Sequence, residues 1–165
     1  MEFFIIQFIG LIGYSTLAFS YFKNTKKNIL LIQILSYFMF IIHYYLLDAK
    51  TGAICNLLGL IAFIVIYLFD KFKLKNKKLL SLILIPLLVI ISLITYENIL
   101  SIFPIIASVI AIISFLSDSE NLIRKIGIVA AICWLIYAIV YKSYVAIIFE
   151  VITLTSVVIA FIKKK

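Results

Sequence analysis

Three polar residues interrupt long apolar stretches of this sequence, and their types could do chemistry inside such a stretch. Glu150 is the only acid within one, Asn56 brings a side-chain amide, and His43 is the single histidine of the chain. A buried carboxyl group must face other polar groups or be protonated, because an isolated charge is costly in an apolar environment. These residues could carry a proton or hydrogen bond a polar solute, or they could only tie helices together.

The spacing of these residues repeats along the chain. A shift of 94 residues places Asn56 on Glu150 and His43 on Tyr137. Under that shift the helix lengths and turn positions of two parts of the chain also agree. We therefore predict two three-helix repeats, with Asn56 and Glu150 as partners across a central site. An acid and an amide facing one cavity would suit a cation or a solute with hydrogen-bond donors.

Neighbouring residues extend this predicted site. Thr153 lies one turn beyond Glu150, where we expect a hydrogen bond between the two side chains. Trp134 shares a helix face with Tyr137 and is predicted to wall the cavity, although these rings could equally be ordinary packing or an interfacial belt. For His43, the alternative to a site residue is a histidine near the helix end that contacts lipid headgroups.

The composition of the chain indicates the class of protein that holds these residues. Apolar residues make up 66% of the 165-residue chain, charged residues make up 13%, and the mean hydropathy is +1.28. A small soluble domain could not hide that much apolar surface. The composition therefore excludes a soluble enzyme, a disordered chain and a collagen-like fibre, and it indicates an all-α integral membrane protein.

Continuous apolar runs of about 20 residues predict membrane-spanning helices rather than strands, which would alternate polar and apolar residues. The predicted helices are Phe3–Phe22, Asn28–Leu47, Ala53–Phe69, Leu79–Tyr96, Ile99–Leu116, Ile123–Tyr141 and Tyr144–Ile162. We predict a three-one-three order: residues 1–70 form the first three-helix repeat, residues 71–98 a basic linker and an inverting fourth helix, and residues 99–165 the second repeat. With equal direction through the membrane, the repeats would be parallel.

The basic residues predict the orientation, because short cytoplasmic loops carry the excess of lysine and arginine. Of the 15 basic residues, only Lys50 and Lys142 fall on the side of the N-terminus. The others fall in the first, third and fifth loops and at the C-terminus: Lys23, Lys26, Lys27, Lys71, Lys73, Lys75, Lys77, Lys78, Arg124, Lys125, Lys163, Lys164 and Lys165. We expect a multi-pass protein of a bacterial inner membrane, with its N-terminus outside and its C-terminus in the cytoplasm.

The sequence offers no set of residues for metal or covalent chemistry. Cys55 and Cys133 lie inside apolar runs and lack the spacing of a disulfide framework or a metal site. No phosphate-binding loop, nucleophile elbow or carboxylate dyad appears, so we expect no cofactor, no metal and no enzymatic activity. The basic residues indicate contact with membrane lipids rather than nucleic acid. The expected partners are those lipids and an unknown small polar solute, and a homo-oligomer is left open.

Several stretches resemble the YgjV-like family of bacterial inner-membrane proteins over most of the chain, from about Gly10 to Ile162. The similar residues are Lys23–Lys27 leading into Leu30–Gln33, His43–Leu47, Thr51–Ala53 with Asn56, Arg124, Trp134–Tyr137 and Glu150. Members of the family often have a glycine where this chain has Asp48. The family is placed near SWEET-like proteins, which strengthens the predicted fold and says little about the substrate.

The predicted layout is also similar to that of SWEET transporters in helix count, in three-one-three order and in the outside N-terminus. That likeness implies that Asn56 and Glu150 stand where paired asparagines contact substrate in those transporters. It also implies hinges at the matched positions Gly10 and Pro104. The expected function is a small-solute transporter or facilitator of the alternating-access type. The alternative is a membrane sensor or a regulatory or assembly protein that transports nothing.

Overall fold

The fold is all-helical in the computed structural model, which describes residues 2–20, 22–23, 25–74, 76–117 and 120–163, without the side chains of 120–125 and 156–163. The described residues form seven α-helices and one short 3-10 helix. The α-helices are α1 (Glu2–Ser20), α2 (Lys26–Leu46), α3 (Lys50–Lys71), α4 (Lys77–Ile94), α5 (Ile102–Leu116), α6 (Glu120–Val140) and α7 (Tyr144–Lys163), and the 3-10 helix Ile99–Ser101 precedes α5.

Five of these helical segments are long and apolar enough to cross a membrane, as far as the described residues extend. They are α1, α2, α3, α4 and the segment Ile99–Leu116. The apolar stretches described in the last two helices are shorter, at Ile126–Val140 and Tyr144–Thr155. The outer faces of the bundle carry exposed apolar side chains such as Phe4 and Ile94, both 79% exposed, as a surface facing lipid tails requires.

The helices pack as two similar groups. In the first group α2 packs against both α1 and α3, and in the second α6 packs against both α5 and α7. The groups meet where α1 contacts α7 and where α3 contacts α5. The remaining helix, α4, packs on α3 and α5. The buried core between the groups is apolar and rich in aromatic rings, with Tyr44, Phe63 and Tyr137 fully buried.

Two ends of the bundle differ in chemistry. We call one the turn end, because it carries the turns 47–49 and 141–143 and the segment 95–101. We call the other the lysine-rich end, where α2 begins, α3 ends and α4 begins. There the Asp70 carboxylate pairs with Lys26 Nζ at 2.8 Å and with Lys77 Nζ at 3.3 Å, so that one acid holds three helices together.

The two turns at the turn end have the same backbone. Asp48 and Lys142, which are 94 residues apart in the sequence, both adopt the left-handed conformation, with φ of 57° and 54°. Ala49 N donates to Tyr44 O, and Ser143 N donates to Ala138 O, each at 3.0 Å. This bond across a left-handed residue is a helix C-terminal motif that normally has glycine. A glycine at position 48, as the family resemblance implies for other members, would suit this backbone.

Helix starts and ends differ from the predicted ones by a few residues, and at α5 the difference matters. The prediction began this helix at Ile99, which would place Pro104 inside it and let the proline bend it. Instead Ile99–Ser101 is a 3-10 helix whose start is capped by Asn98, and Pro104 is the third residue of α5. A proline in the first turn removes no helical hydrogen bond. Pro104 therefore leaves the hydrogen bonds of α5 intact, and its role as a hinge stays a prediction.

Candidate functional site

A cavity of about 80 Å³ lies between the two groups of helices. Every long helix except α4 contributes to its wall. The lining residues are Tyr14, Leu17, Gln33, Tyr37, Phe40, Tyr44, Asn56, Ala111, Ser114, Phe115, Ile126, Gly127, Ala130, Ala131, Trp134, Glu150 and Thr153. Four residues singled out in the sequence, Asn56, Glu150, Trp134 and Thr153, thus meet at one cavity. Their role in binding a substrate stays a prediction.

Asn56 and Glu150 reach the cavity from α3 and α7, and both are almost completely buried, at 2% and 6% exposure. Asn56 Nδ2 donates to the carbonyl of Gly52 in its own helix at 2.8 Å. The expected bond between Thr153 and Glu150 is wrong: Thr153 Oγ1 donates instead to Phe149 O at 2.9 Å. A threonine hydroxyl in a helix readily takes the carbonyl four residues before it, because that acceptor is always within reach.

Two tyrosines line the cavity together with the acid, Glu150. The hydroxyls of Tyr14 and Tyr44 lie 3.1 Å apart and hydrogen bond to each other. Sequence analysis did not assign either tyrosine to the site. The only available signal was the face of α1 that carries Gly10, Gly13 and Tyr14, and that face is buried.

Gln33 is a further polar residue of the cavity wall that sequence analysis did not assign to the site. It is buried in α2, and its Nε2 donates to Ser20 Oγ at 3.2 Å. Ser20 in turn donates to Leu17 O at 2.6 Å. This chain of bonds links the wall of the cavity to the last turn of α1, near the lysine-rich end.

The cavity is lined by matched positions of the two groups. Five pairs of lining residues are separated by the same 94 positions: Leu17 and Ala111, Gln33 and Gly127, Tyr37 and Ala131, Phe40 and Trp134, and Asn56 and Glu150. A shift derived from turn positions and polar residues thus also relates the walls of one cavity. In three of these pairs the larger side chain comes from the first group and the smaller from the second, so the two groups contribute unequally to the wall.

His43 lies outside the cavity lining. It is fully buried, which contradicts the alternative of a histidine that contacts lipid headgroups. Its role in binding a substrate stays a prediction. Its Nδ1 is 2.8 Å from Ile6 O, and since a carbonyl only accepts, this nitrogen donates. Nε2 lies 2.6 Å from Ser143 Oγ, and in the neutral ring it accepts the serine proton. Gly10 makes room for the ring, because a Cβ there would sit 2.7 Å from His43 Cε1.

Tyr137 is also absent from the described lining, and it repeats the role of His43 at the matched position. Its hydroxyl accepts a hydrogen bond from Gly52 N at 2.9 Å. A Cβ at Gly52 would sit 2.6 Å from Tyr137 Cε1, so only glycine fits beneath the ring. His43 reaches from α2 to the turn before α7, and Tyr137 reaches from α6 to the start of α3. Each group of helices thus hydrogen bonds to the turn region of the other group.

A polar network continues across the turn end. Glu97 Oε2 accepts from Tyr141 Oη at 2.8 Å and from Thr51 N at 3.3 Å. Thr51 Oγ1 donates to Thr95 O and lies 3.1 Å from Ser101 Oγ. Burial and the neighbouring Glu97 carboxylate raise the pKa of the Tyr141 phenol, so it remains a donor. No residue of the turns 47–49 and 141–143 lines the cavity, which is separated from this end by bonded side chains.

Comparison with known proteins identifies the family. No curated protein and no solved structure matches the chain. A family model described as Imp-YgjV, a bacterial inner membrane protein, matches residues 4–165, which is almost the whole sequence. Together with the long apolar helices, this match makes the chain a multi-pass protein of the bacterial inner membrane. The chain belongs to the Imp-YgjV family of bacterial inner membrane proteins.

Proposed function

We propose that the protein is a small-solute transporter in which two three-helix repeats, α1–α3 and α5–α7, give alternating access to the cavity between them. In this proposal all seven helices span the membrane in a SWEET-like three-one-three arrangement. The repeats occupy residues 1–70 and 99–165, and residues 71–98 supply the linker and the inverting helix α4. The protein performs no covalent chemistry on its solute.

One observation carries this proposal: ten of the seventeen residues that line the cavity form five pairs that are 94 positions apart. A cavity built this way lies on the axis that relates two equivalent groups, where rocking of one group against the other opens one side and closes the other. The identical turns at Asp48 and Lys142 support the same equivalence. So do the matched contacts of α1 with α7 and of α3 with α5.

The distribution of hydrogen bonds indicates which side is closed. Bonds between the groups concentrate at the turn end, where His43 contacts Ser143, Tyr137 contacts Gly52, and Gln7 contacts both Lys142 O and Val145 N. The lining instead extends toward the lysine-rich end, through Leu17, Ser114 and Gly127. In this proposal the structure represents the state closed at the turn end, and the bonds between the groups break when that side opens.

Solute flux into proteoliposomes tests the proposal. Swelling of liposomes that contain the full chain is followed after mixing with methylammonium chloride, ethylammonium chloride, urea, glycerol or glycine, and compared with empty liposomes. We expect faster entry of at least one solute, and a change of at least about tenfold in its rate in Glu150→Gln. Glu2→Gln, at the exposed start of α1, is the matched control. Rates equal to those of empty liposomes for every solute would contradict the proposal.

A further inference from the structure

The cavity carries a carboxyl group, and the described residues of the wall offer it no basic partner. The described residues of its wall include the Glu150 carboxyl group and no lysine, arginine or histidine. Within the described part of the chain, neither a hydrogen bond nor an ion pair reaches this carboxyl group. The hydroxyls of Tyr14 and Tyr44, which line the same cavity, hydrogen bond to each other at 3.1 Å. A cation that entered the cavity would meet an acidic side chain with no basic residue beside it in the described wall.

Aromatic rings form much of the remaining wall. The lining includes six of them, from Tyr14, Tyr37, Phe40, Tyr44, Phe115 and Trp134. Neighbouring rings are close, with centroids 4.6 Å apart for Tyr14 and Phe40 and 5.3 Å apart for Tyr44 and Trp134. The faces of such rings attract cations, and the attraction is stronger where water is excluded. Rings combined with one carboxylate favour an organic ammonium ion over an anion or a neutral sugar.

The size of the cavity limits the ligand further. A cavity of about 150 Å³ holds benzene. This cavity, at about 80 Å³, therefore suits a solute with fewer non-hydrogen atoms than benzene. A hexose is too large for it in this conformation. The polar atoms of Asn56, Gln33 and Ser114 add hydrogen-bond acceptors to the wall, and an ammonium group needs up to three of these.

We propose that this cavity binds a small alkylammonium cation, with its ammonium group on the Glu150 carboxylate and its alkyl group against the aromatic wall. The inference names the solute class of the proposed transporter and rests on that function for its physiological meaning. Binding itself, however, can be measured without transport.

The protein contains its own reporter, because its single tryptophan, Trp134, lines the cavity. The purified full chain in detergent is titrated with methylammonium or ethylammonium chloride while tryptophan emission is recorded. Potassium chloride at equal ionic strength and ethanol, a neutral molecule of similar size, serve as comparison ligands. We expect a saturable change in emission with the alkylammonium ions and none with potassium chloride or ethanol.

Two variants assign the response to the cavity. Glu150→Gln keeps the shape of the side chain, and it should weaken the apparent Kd for ethylammonium at least about tenfold, because the charge on the ligand loses its counter-charge. Phe40→Leu removes one ring and should weaken binding by about three- to tenfold. The matched control Glu2→Gln should bind like the unchanged protein. Circular dichroism and gel filtration of each variant check that it is folded.

Each outcome decides the proposal. Absence of a saturable response in the unchanged protein overturns it, and so does an equal response to potassium chloride or to ethanol. If Glu150→Gln is unfolded, the unchanged protein and Phe40→Leu still test the proposal. Equal affinity of these two proteins for ethylammonium would show that the aromatic wall does not bind the cation. Binding of ethylammonium without flux in proteoliposomes would keep the cation site and reject the transporter. Flux of urea or glycerol without cation binding would keep the transporter and reject the cation site.

Discussion

Ser143 Oγ lies 2.6 Å from Nε2 of His43, and this bond joins the second helix of one group to the last turn of the other. Tyr137 and Gly52 form the corresponding contact in the opposite direction, at 2.9 Å. Both contacts are buried and lie at the turn end, away from the cavity. They are the bonds whose loss should loosen the two groups from each other.

Replacing Ser143 with alanine should lower the thermal stability of the protein. The substitution leaves Nε2 of a fully buried histidine without its partner, which costs about 1–3 kcal/mol. The measurement is thermal unfolding of the purified protein in detergent. Ser81→Ala is the matched control, because Ser81 Oγ only bonds to Lys78 O within α4. Equal melting temperatures for the unchanged protein and Ser143→Ala would show that the bond does not hold the turn end together.

Alanine at Gly10 or Gly52 should destabilise the protein as well. The added Cβ would lie 2.7 Å from the His43 ring at Gly10 and 2.6 Å from the Tyr137 ring at Gly52, so a ring or a helix must move. Overpacking of this kind costs about 1–3 kcal/mol. Thermal unfolding of each variant measures the loss, and Ser15→Ala on the exposed face of α1 is the control. Unchanged melting temperatures would mean that the helices pack less closely than described.

Glycine at position 48 or 142 should stabilise the protein. Asp48 and Lys142 adopt positive φ at the ends of α2 and α6, and a side chain is strained there by about 1 kcal/mol. Glycine at position 48 also removes the exposed ion pair between Lys50 and Asp48, whose charged atoms are 3.9 Å apart. An exposed pair of this kind contributes little to stability. Each glycine variant should melt higher than the unchanged protein, whereas Asp48→Ala should not. A fall in melting temperature for both glycine variants would contradict the left-handed turns.

Chemical labelling should establish the orientation predicted from the lysine distribution. A cysteine at exposed Lys73, in the loop between α3 and α4, should react with a membrane-impermeant maleimide only after the cells are opened. A cysteine at exposed Lys142 should react in intact cells. The native Cys55 and Cys133 are buried, so they provide a low background. The opposite pattern of labelling would invert the topology.

The sequence predicts the helices better than their ends, for a physical reason. Apolar runs mark the part of a helix that lies in lipid, but a helix continues as long as its backbone bonds are satisfied. Thus α3 begins at Lys50 and ends at Lys71, beyond the predicted range Ala53–Phe69. The 3-10 helix at Ile99–Ser101 was missed, although the capping pair of Asn98 and Ser101 in the sequence could have indicated a new start there.

The sequence predicts that Asn56 and Glu150 meet at one cavity, because each stands out as a single residue. A carboxyl and an amide in apolar helices stand out in the sequence, and both Asn56 and Glu150 lie at the cavity. Contacts between residues that are far apart in the chain cannot be recognised in the sequence in this way. That His43 bonds to Ser143 rather than facing the cavity depends on how α2 meets the turn before α7, and spacing within one helix does not contain that information. The pairing of Tyr14 with Tyr44 was missed for the same reason.

The unequal sizes of the matched lining residues have a consequence for the size of the cavity. Tyr37, Gln33 and Leu17 occupy space that their counterparts Ala131, Gly127 and Ala111 leave free. Leucine, glutamine and tyrosine at positions 111, 127 and 131 would fill part of that space. The side chains of the first group therefore could not replace those of the second at these positions without reducing the cavity.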